Sequence, residues 1–201
     1  MKITGQRVML HDQPRDSSSA DYFKWFNLEE WQYYDQPDHP FHPISRQEFD
    51  KRAQKNREDI DQRNQHQSKG STSPRPSTTF HIDTVNGQHL GWVNCYQWDH
   101  EEKSVFIGIC IPEEAYWGKG YGTEAVSLFL KHLFDSFDLN TIRAATWTGN
   151  KRMVRCAQKA GFTNPEIMPH RASISVRGEP LERIEFSLSK AEWFKINRDG
   201  G

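Results

Sequence analysis

The sequence predicts an α+β fold in which an antiparallel meander feeds a β-α-β-α unit. Three observations carry this. Thr78 to Val85 alternates apolar and polar residues after a long polar stretch, as a strand with one buried face does. Asn86-Gly87 then marks a two-residue hairpin, because both turn positions need positive φ and these residues tolerate it. Finally, Thr123 to Phe137 carries Val126, Phe129, Leu130, Leu133, Phe134 and Phe137 at the spacing of an amphipathic helix, set between two apolar strands.

From the N-terminus, Gln6 to His11 reads as a short strand with Val8 and Leu10 on one face. Ser17 to Phe26 reads as a helix capped by Asp16 or a following serine. An aromatic stretch follows, ending at Asp35-Gln36-Pro37. Ser45-Arg46-Gln47-Glu48 has the form of a capping box and opens a polar helix to about Gln62. Arg63 to Ser77 is polar and rich in Ser, Gln and Pro, and reads as a mobile loop. Leu90 to Trp98 is the hairpin's return strand, Lys103 to Ile111 the third and most apolar strand, and Thr141 to Trp147 a further one. Asn150 caps the next helix, with Met153, Val154, Ala157 and Ala160 as its buried stripe and Gly161 as its left-handed stop. Two late strands, near Ala172–Val176 and Arg183–Leu188, complete the sheet. No internal repeat is visible, and residues 1–201 are expected to form a single domain.

Lys and Arg number 26 against 27 Asp and Glu, so the charge balance points to neither nucleic acid nor a membrane surface. No apolar run approaches the ~20 residues of a membrane helix. Met1 to Arg7 lacks the apolar core of a signal peptide, so a cytoplasmic location is expected. Cys95, Cys110 and Cys156 are too few and too scattered for a disulfide framework or a zinc site, and no metal is expected.

The richest segment runs from Ile107 to Ala125. Gly118, Gly120 and Gly122 alternate with larger residues directly before a helix. Glycine lets backbone approach a ligand, and the first helical turn offers unpaired N–H groups and a positive dipole end. Together they suit a phosphate or pyrophosphate. A nucleoside-triphosphate loop needs Gly-Lys followed by Ser or Thr, but Lys119 precedes Gly120. A dinucleotide fold needs Gly-x-Gly-x-x-Gly and an acid at the end of the next strand. Here the spacing differs and that strand ends Thr146-Trp147-Thr148-Gly149.

Val105 to Phe162 resembles the GCN5-related N-acetyltransferase (GNAT) superfamily. Its acetyl-coenzyme A loop, Gln/Arg-x-x-Gly-x-Gly/Ala, falls on Trp117 to Gly122, and its second signature, an Asn opening a helix that closes with Gly-Phe, falls on Asn150 to Phe162. Trp117, Thr123-Glu124-Ala125 and a late strand ending Phe186 to Trp193 resemble the branch of ribosomal-protein N-terminal acetyltransferases and many small-amine acetyltransferases. The resemblance implies a mixed, mostly antiparallel sheet flanked by helices, with a splayed central strand pair. It implies acetyl-CoA as cosubstrate and transfer to a primary amine, of a small molecule or a protein N-terminus, by direct attack. Backbone from Gly118, Lys119, Gly120, Tyr121, Gly122 and Thr123 would wrap the pyrophosphate. Ile109, Cys110 and Ile111 would line the pantetheine arm, with a backbone N–H near Ile111 polarising the thioester carbonyl, and Asn150 would hydrogen-bond the arm. A homodimer is a further expectation by analogy. An acyl-CoA-binding regulatory module without turnover, or transfer of another acyl group, are the alternatives.

The chain departs from the family where catalysis needs an acid. The common tyrosine position, four residues before Gly-Phe, is Ala157, and the common Ser or Ala earlier in the helix is Met153, so no catalytic acid or base is assigned. Cys156 reads as a packing residue. Glu113 and Glu114 read either as bases or as solvated loop acids, and His81 with Asp83 as participants or as polar alternation on a strand. Trp25, Trp31, Tyr33 and Tyr34 with Asp35 suit either a pocket for a cationic amine or helix packing.

Overall fold

The computed structural model describes residues 1–13, 15–16, 19–67 and 77–198. Eight strands form one sheet in the spatial order β1 (Lys2–Thr4), β2 (Val8–His11), β3 (Thr79–Thr84), β4 (His89–Asp99), β5 (Ser104–Cys110), β6 (Thr141–Trp147), β8 (Pro180–Ser189) and β7 (Thr163–Ile174). The helices are α1 (Ala20–Phe26), α2 (Glu29–Asp35), α3 (Arg46–Gln67), α4 (Tyr121–Ser136), α5 (Lys151–Lys159) and α6 (Lys190–Arg198). All neighbouring strands are antiparallel except β5 and β6, which are parallel and joined through α4. A parallel pair needs such a crossover, because no short turn brings the chain back in the same direction.

The hairpin forms where Asn86-Gly87 places it, with Gly87 at φ 87°. In α4, Val126, Phe129, Leu130, Leu133 and Phe134 are buried, packed with Val8, Leu10, Phe80, Ile82 and Val93 in one core. Each such side chain contributes roughly 1.5–3 kcal/mol by leaving water. Phe137 packs partly buried against this core, at the C-cap of α4. In α5, Ala157 and Ala160 are buried, while Met153 and Val154 are half-buried.

Several elements differ from expectation. The β1 strand and α2 appear where none was predicted. The N-cap residue of α1 is Ser19, one of the two alternatives expected, but its side chain makes no capping bond and the helix starts at Ala20 rather than Ser17. The polar helix α3 opens as predicted, with Glu48 N donating to Ser45 Oγ at 3.2 Å. It continues through Arg63–Gln67, part of the predicted loop; 68–76 of that loop lie outside the described residues. The β7 strand starts at Thr163, nine residues earlier than Ala172, and the last strand stops at Ser189, where α6 begins. Among the described residues no helix is long and apolar enough to cross a membrane.

Candidate active site

The central ladder fixes where the sheet opens. Pairing between β5 and β6 runs from Ser104↔Thr141 to Ile107↔Ala144 and stops there. Each strand continues with its other neighbour, β5 to Cys110 against Trp92 and β6 to Trp147 against Arg183. The peptide groups of Gly108, Ile109 and Cys110 that face β6 therefore have no ladder partner. A cleft of 660 Å³ fills the opening.

Its walls come from both faces of the sheet. Pairing puts Phe80, Val93 and Ile109 on the face covered by α4, and His81, Trp92 and Cys110 on the other. Ile109, Gly122, Thr123 and Cys156 line the cleft on the first face, and Trp31, Tyr34, Asp35, Trp92, Asn94 and Tyr96 on the second. The opening thus passes through the sheet.

The glycine turn forms one wall. Gly118 and Gly120 have φ of 72° and 87°, a region that side chains with a Cβ resist. Gly120 is the N-cap residue of α4 and offers no side chain to its first-turn amides, which stay free for a ligand. Gly122 is helical; a Cβ there would sit 3.6 Å from Cys156 Sγ and 3.7 Å from Ile109 Cδ1, in ordinary contact on the cleft wall. Glu124 Oε1 accepts from Arg7 N at 2.9 Å, anchoring the start of α4 to the β1–β2 turn. A Cβ on Gly5 would meet that carboxylate, so a larger residue there would displace the Glu124 side chain from Arg7 N. Trp117 Nε1 donates to Ile111 O at 2.6 Å and ties the end of β5 to the turn.

Of the ten residues expected to hold the cosubstrate, Ile109, Cys110, Ile111, Gly118, Gly120, Gly122, Thr123 and Asn150 line the cleft. Lys119 and Tyr121 do not. Lys119 is exposed and its carbonyl accepts from Arg7 Nη1 at 3.4 Å, while Tyr121 packs against Tyr116. Both polar atoms of Asn150 are engaged: Oδ1 accepts from Met153 N at 3.1 Å as an N-cap, and Nδ2 donates to Tyr34 O at 3.4 Å. Burial pushes the thiols of Cys110 and Cys156 above the ordinary cysteine value, so both are neutral near pH 7. Cys156 serves packing and also accepts from Thr123 Oγ1 at 3.8 Å.

The remaining candidates separate. Glu113 takes Lys24 Nζ at 2.6 Å and Trp25 Nε1 at 2.9 Å, outside the cleft lining. Burial opposes its ionisation, but these two donors outweigh burial and leave its carboxyl below the usual value. Glu114 is exposed. Asp83 is buried and bonded to His11 at 3.1 Å, His89 at 2.9 Å and Arg15, which makes it the hub of a polar network under α1 rather than part of the cleft. Trp25 and Tyr33 are buried framework residues, whereas Trp31, Tyr34 and Asp35 face the cleft.

Two further walls of the cleft follow sequence periods that carry no motif. Trp92, Asn94 and Tyr96 recur every second residue, one face of β4. Arg152, Arg155 and Lys159 recur at helical spacing along α5, and all three line the cleft. The Arg152 guanidinium lies 4.0 Å from the Trp117 ring and 4.2 Å from the Tyr34 ring. Stacking engages its faces and leaves its N–H edges open, and among the described residues it makes no hydrogen bond or ion pair.

The family model described as an acetyltransferase (GNAT) domain matches residues 7–163. The chain belongs to the GNAT family. An aminoglycoside N(6')-acetyltransferase type 1 of Klebsiella pneumoniae is 29% identical over 102 residues, covering 46% of this chain and 51% of that protein. The chain thus spans about half the length of that relative. Among solved structures, the ribosomal-protein α-N-acetyltransferase RimL in complex with coenzyme A aligns at a TM-score of 0.67 and 15% identity, over 94% of this chain and 98% of that one. A spermidine N-acetyltransferase from Vibrio cholerae, in complex with CoA and spermine, aligns at 0.65 and 16%, over 93% and 98%. At these identities the likeness is one of GNAT fold.

Proposed function

We propose that this GNAT protein transfers an acetyl group from acetyl-CoA to a primary amine by direct attack within the 660 Å³ cleft. The parting of β5 and β6 past Ile107 and Ala144 supports this most directly, because it joins the two faces of the sheet through one opening. One face carries what a phosphate-bearing cosubstrate needs: the uncapped start of α4, glycines at positive φ, and the cationic side of α5. The free edge of Gly108 to Cys110 suits an amide-bearing arm that pairs as an added strand would. Acetyl-CoA supplies the activated acetyl group as a thioester. Trp117, by holding Ile111 O at 2.6 Å, keeps the end of that edge in place. The opposite face, with Trp31, Tyr34, Asp35, Trp92 and Tyr96, is aromatic and acidic, as a site for an amine should be.

The test follows free thiol. Purified protein with acetyl-CoA and spermidine, kanamycin or a peptide with a free N-terminus should release coenzyme A with at least one acceptor. Acetyl-CoA alone should raise the melting temperature, since a ligand that binds only the folded state stabilises it. Stabilisation without thiol release across the panel would favour a binding module without turnover, for which Ala157 in place of a tyrosine is the motive.

A further inference from the structure

We propose that Asp35 is the group that accepts the amine's proton during transfer, an assignment that rests on the proposed acetyl transfer. Among the described residues lining the cleft it is the one carboxylate. It is the last residue of α2, and that helix end is tied to the rim of the opening. Trp147 Nε1, at the end of β6, donates to Asp35 O at 3.3 Å, and Asn150 Nδ2, at the start of α5, donates to Tyr34 O at 3.4 Å. The two residues that border the opening on the β6 side therefore position Asp35 on the face opposite the glycine turn.

Its chemistry is unclaimed. The Asp35 carboxylate makes no hydrogen bond or ion pair among the described residues. The other nearby acids are occupied: Glu113 by Lys24 and Trp25, Asp83 by His11, His89 and Arg15, Glu185 by Arg183 at 2.9 Å, and Glu29, which lines an adjoining cavity, by Arg177 at 3.7 Å. Asp35 acts electrostatically on Tyr96 of β4 and Cys110 of β5; the cations Arg152, Arg155, Lys159 and Arg183 share the cleft lining, and Glu29, Tyr33 and His39 line the adjoining cavity with it. Burial raises both Cys110 and Tyr96, so neither carries charge near pH 7, and Arg183 is held by Glu185. Asp35 is exposed at the cleft, and partial desolvation by the surrounding walls shifts its carboxyl above the ordinary aspartate value. A bound acceptor would exclude more water and raise its basicity further.

A second cavity of 310 Å³ adjoins this point and is walled by Phe26, Trp31, Tyr33 and Phe41. Asp35 and Trp31 line both spaces, so the acceptor's body has room on one side of Asp35 and the acetyl donor on the other. In the step itself, the neutral amine nitrogen forms a bond to the thioester carbonyl carbon. The carbon–sulfur bond breaks, Asp35 takes the proton the nitrogen loses, directly or through one water, and the sulfur leaves as thiolate to be protonated from solvent.

The test compares wild type, Asp35→Asn and Asp35→Glu, with whichever panel amine the wild type acetylates. General-base assistance is typically worth roughly 10²–10⁴-fold, so Asp35→Asn should lose at least ~100-fold in kcat. Its melting temperature and its affinity for acetyl-CoA, read by thermal shift, should match wild type. The wild-type kcat/KM pH profile should carry two ionisations on its acidic side, the acceptor's own ammonium ion and Asp35; the lower one should disappear in Asp35→Asn and reappear, with part of the rate, in Asp35→Glu. An Asp35→Asn variant within threefold of wild type, or one that keeps the lower of the two ionisations, overturns the assignment and leaves acetyl transfer standing. A wild type that binds acetyl-CoA but releases no thiol with any amine overturns both.

Discussion

Two glycines of the turn, two residues apart, should respond to alanine in opposite ways. Gly122 sits in the first turn of α4 with helical φ, where alanine removes unfolded-chain entropy and favours the helix by roughly 0.5–1 kcal/mol. The added methyl would meet Cys156 Sγ at 3.6 Å and Ile109 Cδ1 at 3.7 Å, contacts that need no shift. At ~2–4 °C per kcal/mol for a chain of this size, Gly122→Ala should raise the melting temperature by about 1–4 °C. The same methyl occupies the cleft wall, where backbone must approach the ligand, so acetyl-CoA affinity should fall about tenfold. Gly120, at φ 87°, behaves otherwise: its Cβ would strike Arg7 Nη1, and the left-handed backbone adds roughly 1–2 kcal/mol. Gly120→Ala should therefore lose about 2–8 °C as well as affinity. Differential scanning calorimetry with and without acetyl-CoA reads both effects. Gly122→Ala binding within twofold of wild type would refute the placement of the cosubstrate against this wall, and an unchanged melting temperature for Gly120→Ala would refute the strain argument.

Trp117→Phe removes the donor to Ile111 O and should cost about 1–2 kcal/mol, with a matching loss in melting temperature and several-fold weaker acetyl-CoA binding; unchanged values in both would contradict its anchoring role. Arg152→Ala and Arg155→Ala should each weaken acetyl-CoA about three- to tenfold, with smaller losses at high salt, as isothermal titration at two salt concentrations would show; equal losses at both salts would count against phosphate contacts. Acid should destabilise the fold through His81, which burial and the neighbouring charges of His89, His11 and Arg15 hold at about 4 against 6.5 unfolded. The unfolded chain binds the extra proton between those values, so stability falls as pH drops from about 6.5 towards 4, by no more than roughly 3–4 kcal/mol from this group. His81→Gln should flatten that slope, with His89 supplying a remainder because burial depresses it too; an identical slope would exclude His81.

Local pattern made much of the fold legible. The hairpin, α4 and α5 each carry their own signal in turn residues, period or cap. The start of β7 was hidden by Pro165, which argues against a strand interior; β7 is the edge strand, where a missing donor is tolerated. The last helix carries a readable local signal. Ser189 and Glu192 form a capping box, with Glu192 N donating to Ser189 Oγ at 3.2 Å and Ser189 N to Glu192 Oε2 at 2.9 Å. Seven-residue α2 lacked such a mark, since Leu28 is its N-cap residue and makes no side-chain cap bond.

The candidate site divides in the same way. Conformational demands at Gly118 and Gly120 are local, so spacing revealed them. Long-range contacts were not legible: Glu124 meets Arg7 and Gly5 from more than 100 positions away, and the tie from Trp147 to Asp35 spans 112. These contacts decided which of the aromatic and acidic residues in the N-terminal third face the cleft and which only support it.

The most direct measurement is a crystal structure of the protein soaked or grown with coenzyme A. The account predicts the pyrophosphate at the amides of Gly120 to Thr123 and the pantetheine arm between Gly108–Cys110 and Ala145–Trp147, its sulfur pointing towards the Asp35 side of the sheet. Coenzyme A bound elsewhere, with β5 and β6 parted but empty, would contradict it.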